Sequence, residues 1–231
     1  MPVARIYVVR HGETAENRES IIQGHLDTAL NEAGVEQARL VADALRSVHF
    51  DAAYSSDLQR ALKTGQMILV HRPDIDIRQG EELRERFCGD LQGKKGGAGF
   101  KMAAAVDETV EPAEAFAARA VGWWKTAILQ RTLGLPPREV AYNVLVTSHG
   151  GFINTLVRAL IGSRKVRCAP GVVLASVPNS SVTVIEVERD GVGTVVQFGD
   201  VAHLTPKLER EMVETNVDEV VGDVSGLNTA L

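Results

Sequence analysis

The chain has 231 residues, 45% of them hydrophobic and 24% charged, with a formal net charge of -5. That length can bury a sizeable core in one large α/β domain or two small ones, and the composition excludes a wholly disordered chain. No basic stripe marks a nucleic-acid binder, and the apolar run Ile6–Val9 is far too short to cross a bilayer.

The negative charge is unevenly placed. From Lys207 onward stand six acids (Glu209, Glu211, Glu214, Asp218, Glu219, Asp223) against Lys207 and Arg210, so residues 1–206 are close to neutral. The sequence divides into a folded part, 1–206, and an acidic tail, 207–231, that reads as partly disordered. An anionic small-molecule substrate fits this balance, because a few arginines focused in one pocket outweigh net charge. Cys88 and Cys168 form no CxxC pair or disulfide framework, which fits a reducing compartment. No stretch at the start has the build of a signal peptide. The expectation is a soluble, cytoplasmic protein with no membrane or nucleic-acid partner; oligomeric state leaves no signal.

Residues 5–10 form a short β-rich apolar run, a buried strand that ends at His11-Gly12. Residues 11–30 are polar and punctuated by Gly24, a loop with some helical turn. Asn31 caps a helix whose apolar positions are Val35, Ala38, Val41 or Ala42, and Leu45. Residues 49–55 read as a second strand. Ser56 or Asp57 then caps a helix to about Leu69, burying Leu58, Ala61, Leu62, Gly65 and Ile68 or Leu69. After Pro73, Ile75-Asp76-Ile77 alternates like a third strand.

Residues 89–99 carry five glycines and predict a flexible loop; their spacing is wrong for a dinucleotide site. From Pro112 to about Arg131 the pattern is helical, with Phe116, Ala120, Trp123 and Ala127 on one face and Trp124 and Ile128 beside it. Residues 143–148 are the clearest buried strand of the second half. His149-Gly150-Gly151 follows, then an apolar helix to about Leu160. Residues 181–187 and 194–198 flank Asp190-Gly191 as a hairpin. Strands alternating with helices imply a layered α/β domain with a mostly parallel sheet. His11 and His149 each follow a strand, at the sheet edge where ligands bind in such folds.

The residue types suit phosphoryl transfer. A neutral imidazole with one nitrogen held by a hydrogen bond presents the other as a nucleophile. Arg10, Arg60 and the helix start after His149 offer fixed donors for the charge spread over the phosphoryl oxygens. Glu85 is a candidate proton donor, since a carboxyl beside a phosphate has its pKa raised. Alone, each residue has a blander reading: a histidine at a strand end is usually structural, a helix arginine is usually on the surface, and Glu81, Glu82 and Glu85 form a charge run. His25, His49, His71 and His203 have no ligand spacing and read as ordinary.

Five segments in order resemble the histidine phosphatase superfamily, in its phosphoglycerate-mutase-like branch: Arg10-His11-Gly12-Glu13-Thr14 with Asn17; Ile22-Gln23-Gly24 through Gly34; Ser55-Ser56-Asp57-Leu58-Gln59-Arg60-Ala61; Leu83-Arg84-Glu85-Arg86-Phe87 with Gly93; and Val146-Thr147-Ser148-His149-Gly150-Gly151. The resemblance implies a single three-layer α/β/α domain of phosphoglycerate-mutase-like fold. It implies His11 as the phosphohistidine nucleophile, Arg10, Arg60 and His149 as phosphate clamp, Glu85 as the acid, and Asn17, Gln23, Gly24 and Gly150 as substrate contacts. It implies no metal and no organic cofactor, and a small phosphate ester as partner. Phosphatase, phosphoglycerate mutase and a non-catalytic phospholigand-binding scaffold are the alternatives. Only 63 residues (86–148) separate Glu85 from His149. Mutases of the family generally carry a longer insertion there that keeps water out, so hydrolysis is favoured. Residues 17–34 and 177–181 resemble fructose-bisphosphatase-type members, which makes fructose 2,6-bisphosphate one candidate substrate beside broad phosphomonoester hydrolysis.

Overall fold

The computed structural model describes residues 1–97, 104 and 107–204. Among these, seven strands form one sheet: β1 (Ala4–Arg10), β2 (Ala52–Ser56), β3 (Ile77–Gly80), β4 (Tyr142–Ser148), β5 (Val166–Cys168), β6 (Val182–Val187) and β7 (Gly193–Asp200), in the order β3-β2-β4-β1-β6-β7-β5. β3, β2, β4 and β1 run parallel, as does β5 to β7. Only β6 opposes both of its neighbours. The mostly parallel α/β sheet expected from the alternation of elements is therefore present.

Alternation along β1 builds two cores. Ile6 and Val8 face a layer made by α4 (Ala113–Trp123) and α5 (Gly150–Gly162), with Phe116, Trp123, Phe152 and Leu156 packed on the sheet. Val9 faces the opposite layer of α2 (Glu32–Ala44) and α3 (Gln59–Ile68), with Val41, Ile68 and Leu145. Each such side chain, fully buried, contributes roughly 1.5–3 kcal/mol relative to exposure. Helices on both faces complete three layers.

Several local expectations move. The first residue of α3 is not capped by Ser56 or Asp57: Leu58 holds the cap position without a side-chain bond, and Asp27 Oδ1 accepts from Gln59 N at 2.7 Å. Asp57 is instead engaged by Arg84 at 2.5 Å. Val35 is 42% exposed, because the buried face of α2 is made by Gly34, Gln37, Ala38 and Val41, and Val35 lies about 100° away from Gly34 around the helix. The third strand starts at Ile77 rather than Ile75, and β5 is a three-residue strand too short to leave a periodic signal. Beyond Trp123 the helix widens into a π segment, Trp124–Gln130, before a last turn, Arg131–Leu133. The wider turn rotates the buried face, so Trp124 and Ile128 are fully buried and Ala127 only partly.

The glycine-rich stretch is hydrogen-bonded to residues 20–22 where it is described. Gly93 N donates to Ile22 O, Ile22 N to Lys94 O and Gly96 N to Ser20 O, at 2.7–2.9 Å. Ile22, Cys88, Ala104 and Val110 pack into a small core of their own. Cys88 and Cys168 are free thiols. No described helix is long and apolar enough to cross a membrane. The acidic tail expected at 207–231 and the domain boundary near residue 206 lie outside the described residues.

Candidate active site

Register alone brings the key residues together. Arg10 pairs with Ser148, so His11 and His149 leave equivalent positions at the ends of adjacent parallel strands. Beyond the end of β2, α3 begins and carries Arg60 as its second residue. Beyond β3, a 3-10 turn at Glu81–Leu83 leads to Glu85. Four neighbouring parallel strands thus deliver four candidate residues to the carboxyl edge of one sheet.

Both histidines are buried, with ring centroids 5.1 Å apart. His11 Nδ1 lies 2.7 Å from Gly12 O. A carbonyl can only accept, so Nδ1 carries the hydrogen and the neutral ring leaves Nε2 with its lone pair. Burial, then the charges of Arg60 and Arg10, hold the His11 pKa well below its ordinary value. His149 is lowered in the same way, by burial first and then by Arg60. Both rings are therefore neutral at pH 7. Neither nitrogen of His149 has a hydrogen-bond partner among the described residues. A buried polar group in that state is costly unless a ligand completes it.

Arg10 donates through Nη1 to Val177 O at 2.7 Å. Arg60 donates to Leu26 O at 2.6 Å and to Gly24 O at 2.9 Å. Two carbonyls orient the Arg60 guanidinium, and Val177 O anchors that of Arg10. Gly24 adopts φ +50°, and a Cβ there would come within 2.5 Å of Gln92 Oε1. Its role is to hold this turn and its carbonyl on Arg60. Gly12 N donates to Thr64 Oγ1, whose hydroxyl donates to Arg60 O, tying the His11 loop to α3.

Asn17 lies in the single turn α1 (Ala15–Arg18), capped by Thr14. Its Oδ1 accepts from Thr14 N and Asn179 Nδ2, each at 3.2 Å, which turns Nδ2 into a buried donor with no partner among the described residues. Gln23 Oε1 accepts from Thr28 Oγ1 at 2.5 Å and lies 3.1 Å from Thr14 Oγ1. Glu85 is buried; its Oε1 accepts from Arg86 N and its Oε2 from Gly151 N, both at 2.8 Å. Gly150 opens α5 between His149 and that amide. Among the described residues no group of His, Cys, Asp and Glu side chains could hold a metal ion.

Sequence reasoning assigned no site role to three further residues that touch the candidate site. His25, read as ordinary, places Nε2 2.9 Å from Glu85 O. Arg119 donates to the same carbonyl at 3.1 Å. Asn179 also donates to His11 O at 3.1 Å. Each acts on a main-chain carbonyl or an amide far away in sequence, and such contacts leave no pattern of residue types.

The chain resembles known proteins along most of its length. Residues 6–201 match the histidine phosphatase superfamily (branch 1). Phosphoglycerate mutase-like protein 4 of Arabidopsis thaliana is 35% identical over 211 residues, covering 87% of each chain. A broad-specificity phosphatase of Saccharomyces cerevisiae is 30% identical over 212 residues, covering 87% of this chain and 88% of the yeast protein. The solved structure of a phosphoglycerate mutase from Bacillus anthracis superimposes with a TM-score of 0.73 at 28% identity, covering 90% of this chain and 96% of the other.

Proposed function

Because the chain belongs to the histidine phosphatase superfamily (branch 1), we propose that it is a phosphomonoesterase that works through a phosphohistidine at His11 on a small phosphorylated metabolite. The observation that carries the proposal is the His11–His149 pair: one ring locked by Gly12 O with Nε2 available, the other buried beside it without a protein partner among the described residues.

In the first half-reaction Nε2 of His11 attacks phosphorus and the bond to the ester oxygen breaks. Glu85 gives its proton to that oxygen. Arg10, Arg60, an N–H of His149 and Asn17 Nδ2 take the phosphoryl oxygens, where negative charge spreads in the transition state. In the second, the Glu85 carboxylate takes a proton from water, the water oxygen bonds to phosphorus and the P–N bond breaks. Orthophosphate leaves and Glu85 is protonated again. Gln23, Gly24 and Gly150 shape the entrance and the turn that holds Arg60.

Water is the acceptor we favour, because only residues 86–148 separate Glu85 from His149. Sugar bisphosphates, fructose 2,6-bisphosphate among them, belong to the candidate substrates beside simpler monoesters. A cytoplasmic setting suits the two free thiols.

The test is a screen of phosphorylated metabolites with 3-phosphoglycerate mutase activity assayed in parallel, for the wild type and His11→Ala. Hydrolysis that outpaces mutase activity, with acid-labile label on the wild type and none on the folded variant, is the expected result. Undiminished hydrolysis by His11→Ala overturns it.

A further inference from the structure

The main chain leading to the acid has neither sheet nor helix to satisfy it. After the 3-10 turn closes with Arg84 N on Glu81 O, the next carbonyls are taken up by side chains from elsewhere. Leu83 O accepts from Ser148 Oγ at 2.7 Å. Glu82 O and Arg84 O each accept from Arg119 Nη1 at 2.9 Å, and Glu85 O accepts from Arg119 Nη2 at 3.1 Å. One guanidinium in α4 therefore serves three carbonyls, the last of them belonging to the acid itself.

Arg119 is itself fixed from behind. Its Nε and Nη2 engage the two carboxylate oxygens of Glu111 at 3.0 and 2.8 Å, and its Cζ lies 4.8 Å from the centre of the Phe116 ring. Glu111 also reaches the far side of Glu85. Its Oε2 accepts from Phe87 N at 3.1 Å, its amide donates to Phe87 O at 2.9 Å, and its carbonyl accepts from Arg86 Nε at 2.6 Å. The bidentate pair thus grips the chain on both sides of residue 85. A guanidinium suits this work because its five N–H groups lie in one plane in fixed directions.

We infer that Arg119, anchored by Glu111, is a positioning residue that sets where the Glu85 carboxyl stands relative to the leaving oxygen. The inference rests on the proposed role of Glu85 as proton donor. Proton donation demands placement within hydrogen-bond reach of the leaving oxygen, and a misplacement of about 1 Å costs on the order of 100-fold in rate. Loss of Arg119 should therefore harm esters whose leaving oxygen needs a proton and spare those whose leaving oxygen does not.

The experiment compares kcat/KM for β-glycerol phosphate, an alkyl ester, with p-nitrophenyl phosphate, whose phenolate leaves unaided. Glu85→Gln is the reference and should lose about 100-fold more activity on the alkyl than on the aryl ester. Arg119→Gln should show the same selectivity at about tenfold, Arg119→Lys should recover part of it, and Arg119→Gln should add no selective loss in the Glu85→Gln background. Glu111→Gln, which weakens the anchor and keeps Arg119, should follow the pattern of Arg119→Gln at smaller size and decides the matter if both Arg119 variants unfold. Equal loss on both esters in the Arg119 and Glu111 variants, with Glu85→Gln still selective, overturns the inference and leaves the role of Glu85 standing. A Glu85→Gln variant without selectivity removes that role, and the inference with it.

Discussion

Gly12 and Gly34 touch backbone to backbone: a Cβ on Gly12 would stand 2.4 Å from Gly34 O, and one on Gly34 only 2.0 Å from Glu13 O. This contact seats the loop after His11 on the start of α2, where Asn31 Nδ2 donates to Glu13 Oε1 and Glu13 N donates to Gln37 Oε1. Gly34→Ala must push that loop away, since the clash is with main chain. The expected result is a loss of about 1–3 kcal/mol in urea unfolding, typical of overpacking. A fall in kcat/KM larger than that of a surface control should accompany it, because the Gly12 carbonyl that orients His11 moves with the loop. Wild-type kinetics in a destabilised Gly34→Ala protein would show that the seat is structural only.

The two buried histidines tie stability to pH. Their folded pKa values lie below the unfolded value of 6.5, by burial first and then by the neighbouring positive charges. Below pH 6.5 the unfolded chain takes up protons that the folded one refuses. Stability is therefore complete above 6.5 and is lost as pH falls toward the folded pKa, by up to about 1.4 kcal/mol per pH unit for each ring. Melting temperatures between pH 8 and pH 5 should be flat at first and then drop. His149→Gln, which cannot titrate, should show a shallower drop; an unchanged slope would count against burial as the cause.

The parts of the candidate site that were legible in the sequence are those carried by residue type next to a regular element. His11 and His149 follow apolar runs that read as buried strands, and Arg60 stands at a helix start. Glu85 was different: within its charge run nothing but family resemblance singled it out. The supports were hidden for a common reason. Asp27 reaches Gln59, Arg119 reaches Glu85 and Asn179 reaches Asn17 across long stretches of chain. Each contact ends on a backbone group or an amide that any residue pattern would permit. The π segment was hidden too, because one extra residue per turn changes which side chains are buried without changing which are apolar.

Asp27 illustrates how such a support bears on chemistry. It caps α3 from outside through Gln59 N, its carbonyl accepts from Gln59 Nε2 at 2.7 Å, and Arg60 is the next residue. Asp27→Ala should cost about 0.5–1 kcal/mol, the low end for a lost cap, since the residue is exposed. It should also lower kcat/KM for p-nitrophenyl phosphate, as the start of α3 carries one arm of the proposed clamp. Asp27→Asn, an equally good cap, should restore both. Urea midpoints and initial rates on the three proteins check this, and a kinetic loss that survives in Asp27→Asn would assign it to charge rather than to capping.

Asn179 makes a sharper case, because an amide can be held the right way round or the wrong way. Its Nδ2 donates to Asn17 Oδ1 at 3.2 Å and to His11 O at 3.1 Å. With Oδ1 of Asn17 committed to that donor and to Thr14 N, only Nδ2 is left for the phosphoryl oxygen that we propose it binds. Deleting the donor outright, in Asn17→Ala, should lower kcat about 100-fold, as for loss of one preorganised transition-state donor. Asn179→Ala leaves the donor in place but frees it to turn, so about tenfold is expected, inside that bound. Asn179→Asp sets a carboxylate against two oxygens and a negative charge near the proposed phosphate position, and should exceed the alanine variant. Vanadate, which mimics the five-coordinate phosphorus, should lose affinity in the same order. Asn179→Ala with wild-type kcat and wild-type vanadate inhibition would mean that Asn17 needs no partner to hold its orientation.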